Sequence, residues 1–206
     1  MVRRKDFTVF SNDCFGAEIY HQLRIQYNTP FVGLMVMAPC YIKFLQRPRH
    51  YMLQPVNPVD ASAYETMNSF RAHHGNYPLG RIDDIEIHFM HYPTFEDAVE
   101  KWNRRKARIN WSDLRVKFAM DKDFATEELL KAFEELPYKN KVCLSRSGYD
   151  WAASNVVVPG YDFHAGVTFK RSLKVFNLCG WLNDGNIHFN TGFEKLLGYI
   201  LYQTLN

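Results

Sequence analysis

A short polar turn near the start of the chain offers hydroxyl, amide and carboxylate groups where α/β proteins commonly bind ligands. Residues 7–10 are β-branched and aromatic and predict a strand, and residues 17–23 predict a short helix. In α/β folds, ligands bind beyond the carboxyl ends of strands, often at the backbone N–H groups that begin a helix. The candidate pocket residues of this turn are Ser11, Asn12, Asp13 and Gly16, the glycine because it would allow close approach of the backbone. The alternative is that one of the polar side chains only forms the turn or caps the helix.

A second candidate site lies on a predicted strand over residues 84–92, where side chains alternate between two faces. Period-two spacing places on one face Asp84, Glu86 and His88. Such groups could bind a divalent metal or act as general acid and base, whereas the alternatives are a solvated sheet face or a buried histidine satisfied by a carboxylate. Three ligands on one flat strand diverge, so we assign no metal and predict that Glu86, His88 and Asp13 carry catalysis. His91 falls on the opposite face and is predicted to be a hydrogen-bonded core histidine.

Basic residues dominate the helix predicted after Thr94. The basic side chains that span its later turns are Lys101, Arg104, Arg105 and Arg108. Guanidinium groups bind oxyanions in a bidentate manner, so the three arginines are predicted to hold a phosphate or diphosphate, and Trp111 to stack on a sugar or base. The alternative is a solvated helix face balanced by the acidic residues one turn earlier, with arginines that suit the negative end of the helix dipole.

The elements that would position these groups alternate between strands and helices. Strands are predicted over residues 7–10, 31–37, 84–92, 114–118, 141–145 and 155–158, and helices over 17–23, 39–45, 60–72 and 193–205, with two more beginning after Thr94 and Thr126. This order predicts an α/β fold with three layers, in which a mostly parallel sheet has helices on both faces. We expect one domain over residues 1–206 and leave open a smaller lobe within residues 159–206.

Composition excludes several classes of protein. Aromatic residues make up 16% of the chain, far from the signature of disorder, and no apolar stretch reaches the roughly 20 residues that a membrane span needs. The net charge of +3 is too small to indicate nucleic-acid binding. The first residues lack the apolar core of a signal peptide, and the four cysteines form no C-x-x-C pair, so we expect reduced thiols and a cytoplasmic location. The phosphate-binding and hydrolase signatures GxxxxGK[ST], GxGxxG, GxSxG and HExxH are absent from the sequence.

Several strings taken together resemble a bacterial family, the domain of unknown function DUF1919. The strings are FTVFSNDCFGAEIY (7–20), YNTPFVGL (27–34), YIKFL (41–45), YPLG (77–80), IEIHFMHY (85–92), KWNRR (101–105), RINW (108–111) and LPYKNKV (136–142). The resemblance covers residues 7–158, and it implies an association with exopolysaccharide or capsule biosynthesis, because members of this family are often described that way. It brings no catalytic residues with it.

These observations lead to one hypothesis of function and one alternative from another class. The resemblance implies a sugar- or acyl-transferase that acts on an activated sugar, with a nucleotide-sugar or lipid-linked sugar as its partner and no cofactor identified. In the alternative, the protein is a non-catalytic interaction or regulatory component of a polysaccharide assembly complex. The transferase hypothesis requires that the turn at Ser11, the strand at His88 and the arginines converge on one pocket.

Overall fold

The computed structural model describes residues 2–190, and its fold is a mixture of strands and helices. In chain order the elements are β1 (Thr8–Ser11), α1 (Phe15–Leu23), α2 (Ala38–Gln46), α3 (Pro48–Leu53), β2 (Asn57–Pro58), α4 (Glu65–His73), β3 (Leu79–Ile82), β4 (Ile85–His88), α5 (Phe95–Lys106), β5 (Leu114–Ala119), α6 (Glu127–Glu135), β6 (Lys141–Ser145), β7 (Asn155–Val157), α7 (Ala165–Ser172) and α8 (Leu178–Asp184). The predicted α/β class is confirmed. The helix predicted over residues 193–205 lies outside the described residues.

The strands form two sheets. The larger has the order β1-β5-β6-β7 and is parallel throughout, so the carboxyl ends of all four strands lie at one edge. Its register sets Ser11 of β1 opposite Lys117 of β5. The smaller sheet has the order β2-β3-β4 and is antiparallel, so the strand that carries His88 is not part of the parallel sheet.

Alternate residues of the parallel strands enter two separate apolar clusters. One cluster joins Phe10, Val116, Phe118 and Cys143 to Tyr41 and Phe44 of α2, Trp102 of α5 and Leu130 and Phe133 of α6. The other joins Val9, Leu144 and Val156 to Phe15 of α1, Phe169 of α7 and Trp181 of α8. Neighbouring residues of one strand thus pack into different clusters, as Val9 and Phe10 of β1 do.

The apolar segment over residues 31–37 is not the strand that its composition predicts. It is irregular and connects the two sheets. Met35 exchanges backbone hydrogen bonds with His88 at 2.9 and 3.0 Å, and the N–H of Val36 donates to the carbonyl of Asn12 at 2.9 Å. The segment therefore places β4 beside the turn that follows β1.

The two helices in which a threonine precedes an acidic first turn begin where the sequence predicts. Thr94 Oγ1 accepts from the N–H of Asp97 at 3.1 Å, and Thr126 Oγ1 accepts from the N–H of Leu129 at 3.3 Å, so both threonines are N-caps and the two predicted helix starts are confirmed. The helix predicted from Asp60 is wrong at its start. It begins only at Glu65, because the hydroxyl of Ser62 is committed to a carboxylate of β4. No helix within residues 2–190 has the length and apolar character to cross a membrane.

Gly80 of β3 marks a close approach that holds β4 in place. A Cβ at this position would lie 2.6 Å from Val56 Cγ1 and 2.8 Å from Phe89 Cε2, both in buried side chains. We expect Gly80→Ala to lower the free energy of unfolding by about 1–3 kcal/mol because the core is overpacked, as measured by urea denaturation. Gly166→Ala is the control: it lies in α7 with no atom within 4 Å, and it should raise stability by about 0.5–1 kcal/mol. Equal effects of the two changes would contradict this prediction.

Candidate functional site

Asp13 is the centre of a buried ionic cluster at the carboxyl edge of the parallel sheet. Its Oδ2 accepts from Lys117 Nζ at 2.8 Å and from Lys122 Nζ at 2.9 Å. Its Oδ1 accepts from Ser11 Oγ at 2.9 Å and from the N–H of Phe15 at 3.1 Å. Ser11 ends β1, Lys117 lies on β5 and Lys122 follows β5, so the parallel pairing of these two strands assembles the cluster.

The predicted catalytic role of Asp13 does not fit this geometry. A carboxylate has about four acceptor positions, and the four donors around Asp13 occupy them. Burial on its own would raise the pKa of Asp13, but the two lysine ammonium groups outweigh that effect and hold the pKa far below its usual range. Asp13 is therefore ionised at neutral pH and acts as a positioning residue for the lysines, not as a proton carrier.

The environment shifts the pKa values of the other charged groups of the cluster in different directions. Burial lowers the pKa of Lys117, although Asp13 partly opposes this. Burial also acts to lower the pKa of Lys122, but Asp13 and Asp123 outweigh it and the pKa rises. Burial raises the pKa of Asp123, whose Oδ2 lies 3.7 Å from Lys122 Nζ. The cluster thus joins two ammonium groups to one fully ionised carboxylate and one carboxyl group that more readily holds a proton.

The loop after β5 is held in an unusual backbone conformation beside this cluster. Asp121, Asp123 and Phe124 have φ values of 64°, 52° and 64°, in the left-handed region that costs a residue other than glycine about 1 kcal/mol or more. The loop is fixed at both ends. The Arg146 N–H donates to Asp121 Oδ2 at 2.6 Å, and the Ala38 N–H donates to the Asp123 carbonyl at 2.8 Å. Strain of this kind, paid for by surrounding contacts, is typical of ligand-binding loops.

Two buried polar atoms at the same edge have no hydrogen-bond partner. Five buried side-chain atoms in residues 2–190 lack one, and two of these are Asn12 Nδ2 and the Tyr161 hydroxyl oxygen. Asn12 is fixed because its Oδ1 accepts from the N–H of Ala119 at 2.8 Å. Burial raises the pKa of Tyr161 far above its usual range, and the charges of Asp13 and Asp123 raise it further. Unsatisfied buried polar groups are uncommon in folded proteins and require a physical reason.

Exposed aromatic rings flank the cluster. The exposed fraction is 42% for Phe124, which follows Lys122 by two residues, and 63% for Phe163, whose carbonyl accepts from Lys122 Nζ at 3.2 Å. The guanidinium of Arg146 lies 5.7 Å from the centroid of the Phe163 ring. Both rings are therefore exposed on segments that lie next to Lys122.

Gly16 and Cys14 serve the fold at this edge. A Cβ on Gly16 would lie 3.2 Å from Ser11 Cβ and 3.3 Å from Val9 Cγ1. The glycine therefore allows α1 to approach β1, whereas the sequence had suggested that it allows the backbone to approach a ligand. Burial raises the pKa of Cys14 to about 11, with a further contribution from Asp13, so its thiol is not activated as a nucleophile.

Glu86 and His88 form a second buried network with Ser62 and Tyr77. Glu86 Oε1 accepts from Ser62 Oγ at 2.5 Å and lies 2.7 Å from His88 Nε2, while Oε2 accepts from the N–H of Ala63 at 2.9 Å. His88 Nδ1 lies 3.0 Å from the Tyr77 hydroxyl. Both imidazole nitrogens are occupied and the His88 side chain is fully buried, so the predicted acid/base roles of Glu86 and His88 do not fit. The network corresponds to the alternative of a buried histidine satisfied by a carboxylate.

The remaining residues of the predicted strand over 84–92 also differ from expectation. All four residues of β4 are buried, so neither of its faces is solvated. Asp84 precedes the strand and pairs with Lys43 Nζ at 2.8 Å, and His91 is exposed beyond it and not in the core. Within residues 2–190, no three His, Cys, Asp or Glu side chains are grouped so that they could hold a metal ion.

The turn after β1 and the strand β4 are linked through the segment that connects the two sheets. Met35 and Val36 are consecutive residues, and they bond His88 and Asn12 respectively. The carboxylate of Asp123 contributes to the raised pKa of both Tyr161 and Tyr77, after burial as the main cause.

The arginines lie at the opposite edge of the sheet, so the predicted convergence on one pocket is wrong. The N–H of Asn110 donates to Thr8 Oγ1 at 2.8 Å, which places the end of the basic helix at the first residue of β1. There Arg104, Arg105 and Arg108 line one groove with Ile25, Gln26 and Tyr27. Trp111 is separate from them. Trp111 packs edge-on against Phe10, and the guanidinium carbon of Arg49 lies over the Trp111 ring, 4.3 Å from the ring centroid.

Sequence reasoning missed the two lysines and Tyr161. Lys117 stands between Val116 and Phe118 in a strand buried on both faces, and a lysine in such a strand must be paired. That was the available signal, because Asp13 at the end of the neighbouring strand is a natural partner. No comparable signal marks Tyr161, whose placement depends on the irregular segment after β7.

A family model matches most of the chain, and the description of that family gives no activity. The family model described as "Domain of unknown function (DUF1919)" matches residues 1–183. An uncharacterized protein of Haemophilus influenzae is 32% identical over 174 residues, which are 84% of this chain and 76% of that protein. With nearly the whole described fold inside the match, the chain belongs to the DUF1919 family.

Proposed function

We propose that this protein is a transferase that acts on a phosphate-activated sugar, with its active site at the carboxyl edge of the parallel sheet. In this proposal the sheet is the middle of three layers, and the site opens where β1, β5 and β6 end. The observation that carries the proposal is the pair of buried ammonium groups, Lys117 and Lys122, that share the single carboxylate of Asp13.

The charge of the cluster favours an anionic ligand. Asp13 neutralises one of the two ammonium groups, and Asp123, whose pKa is raised by burial, offsets the second only in part. A buried net positive charge is costly unless an anion accompanies it. The free amide N–H groups of Asn12 point to the same chemistry, because they are donors without an acceptor. A phosphate oxygen would satisfy both needs.

The rim of the site suits a sugar attached to that phosphate. The exposed rings of Phe124 and Phe163 stand on loops that flank Lys122, and an aromatic face packs well against the C–H groups of a sugar. The aromatic rim and the cationic floor together match a sugar phosphate better than a free inorganic anion.

The transfer step can be written with these groups. The acceptor hydroxyl attacks the anomeric carbon, and a new C–O bond forms while its proton passes to the carboxylate of Asp123. The bond from the anomeric carbon to the phosphate oxygen breaks, and its electron pair stays on the leaving phosphate. Lys122 and Lys117 stabilise the charge that develops there, and Asp13 fixes their position.

Binding and turnover of a nucleotide-sugar test this proposal. We expect UDP-glucose or a related nucleotide-sugar to bind the wild-type protein in calorimetry, and Lys122→Gln to weaken that binding about 10- to 100-fold because a charge-assisted hydrogen bond is lost. Lys122→Arg should retain most of the affinity. Lys139→Gln is the matched control, since Lys139 is exposed far from the site.

Two results would contradict the proposal. One is equal affinity of wild type and Lys122→Gln for every nucleotide-sugar and for acetyl-CoA. The other is tight binding with no release of nucleoside diphosphate over a panel of sugar acceptors, which would favour the alternative of a non-catalytic component of a polysaccharide assembly complex.

A further inference from the structure

We propose that the groove lined by Ile25, Gln26, Tyr27, Arg104, Arg105 and Arg108, here called the arginine groove, is a second ligand site that binds a diphosphate group. It lies at the amino edge of the parallel sheet, and its volume is about 620 Å³. The inference is independent of the proposed transferase activity, because the two sites share no residue and lie at opposite ends of the strands.

The central guanidinium of the arginine groove is held in place before any ligand arrives. Arg105 Nη1 donates to the Tyr92 hydroxyl at 2.5 Å, and that hydroxyl donates to the Val32 carbonyl at 2.5 Å. The guanidinium also lies 5.2 Å from the centroid of the Tyr27 ring. A guanidinium fixed by one edge and one face keeps its remaining N–H groups available and loses little entropy when it binds an anion.

The positive charge of the arginine groove is poorly compensated. Arg104 pairs with Glu100 at 3.1 Å, but in the described part of the chain no carboxylate lies within 4.0 Å of Arg105 or Arg108. Among residues 2–190, no acidic residue lines the groove. Burial lowers the pKa of Arg108, and the charges of Arg104 and Arg105 lower it further, which is consistent with mutual repulsion.

The helix dipole accounts for only part of this arrangement. Arg108 Nε donates to the carbonyl of Arg104 at 3.4 Å, as a basic residue near a helix C-terminus commonly does. That role needs one cation, and it does not explain why the three guanidinium groups face a common groove whose opposite wall, residues 25–27, carries no acid.

The size and donors of the arginine groove favour two linked phosphates over one. Small-molecule sites usually have volumes of about 300–1,000 Å³, and a single phosphate would fill little of this groove. Two guanidinium groups without carboxylate partners can each bind one phosphate in a bidentate manner. Such a diphosphate could belong to a free nucleotide or to the headgroup of a polyprenyl diphosphate lipid.

Pyrophosphate binding tests the inference directly. We expect inorganic pyrophosphate to bind the wild-type chain more tightly than inorganic phosphate in calorimetry, and the double variant Arg105→Gln/Arg108→Gln to reduce pyrophosphate affinity about tenfold or more. Arg81→Gln, which removes an exposed arginine of β3, should leave the affinity unchanged. Lys122→Gln should also leave it unchanged, so failure here is distinguishable from failure of the carboxyl-edge site.

The source of the diphosphate is decided by two further probes. ADP in solution represents a free nucleotide, and phosphatidylcholine vesicles that contain a polyprenyl diphosphate represent the lipid. Binding of either probe that is lost in the double variant supports the inference and identifies the source. The inference is overturned if pyrophosphate does not bind, if the double variant binds it as wild type does, or if Arg81→Gln weakens it equally.

Discussion

Asp13→Ala is expected to lower the free energy of unfolding by about 3–5 kcal/mol, the range found when one partner of a buried ion pair is removed. The reason is that two buried ammonium groups lose their common carboxylate. Lys117 is fully buried, and Ser11 Oγ and the N–H of Phe15 lose an acceptor as well. Urea denaturation followed by circular dichroism measures the change.

A matched ion pair elsewhere separates this effect from loss of charge alone. Asp97 pairs with Lys101 at 2.8 Å, but both side chains are about one-third exposed, so Asp97→Ala should cost less than about 1 kcal/mol. Lys117→Met should cost much less in the Asp13→Ala background than in wild type, because the charge that it removes is then already unpaired. Additive effects of the two changes would contradict the assigned pairing.

The same cluster predicts how stability depends on pH. The pKa of Asp13 lies far lower in the folded state than its unfolded value of about 3.9, so its contribution is complete above that value and is lost progressively as the pH falls below it. Below about pH 4, where this loss begins, wild type should lose stability more steeply than Asp13→Asn. Parallel stability curves for the two proteins would show that Asp13 is not ionised as the structure implies.

Local sequence signals predicted the elements that frame the candidate site. The strand, polar turn and helix at residues 7–23 depend on neighbouring residues, and so do the threonine caps of α5 and α6. Helix caps and strand periodicity extend over three or four residues, so one sequence is enough to read them. The position of Asp13 at the carboxyl end of a strand followed from the same local pattern.

Contacts between residues far apart in the chain determine the features of the site that the sequence did not predict. The bond from Lys117 to Asp13 joins residues 104 positions apart, and it converts a predicted catalytic acid into a fixed anion. The arginines were misplaced for a geometric reason. A 12-residue helix is about 18 Å long, so α5 carries its last turn to the amino edge of the sheet, away from the turn after β1.

The strand β4 shows why alternation alone could not assign roles to Glu86 and His88. Alternation predicts which side chains share a face but does not tell whether a second layer covers that face. Here Ser62 and Tyr77, from outside the strand, cover it and occupy the polar atoms of both residues. Glu86 and His88, which the sequence suggested as acid and base, therefore belong to a buried structural network.

We expect Glu86→Ala to lower the free energy of unfolding by about 2–4 kcal/mol, because the Ser62 hydroxyl, the Ala63 N–H and His88 Nε2 lose their acceptor inside the protein. Asp84→Ala is the matched control. It lies two residues earlier, bonds Lys43 and Tyr51, and is about half exposed, so its loss should cost less than about 1 kcal/mol. Both values come from urea denaturation at neutral pH.

The pH dependence of the Glu86 network gives a second measurement with a definite sign. Burial would raise the pKa of Glu86, but hydrogen bonds from His88, Ser62 and the Ala63 N–H outweigh it and lower the pKa. The stability that Glu86 provides is therefore present above its unfolded pKa of about 4.3 and is lost as the pH falls through the lower folded value. Glu86→Gln should remove this acid-dependent part while keeping an acceptor for Ser62. If Glu86→Ala were as mild as Asp84→Ala, the network would not be structural, and the buried carboxylate and imidazole would again be candidates for acid/base chemistry.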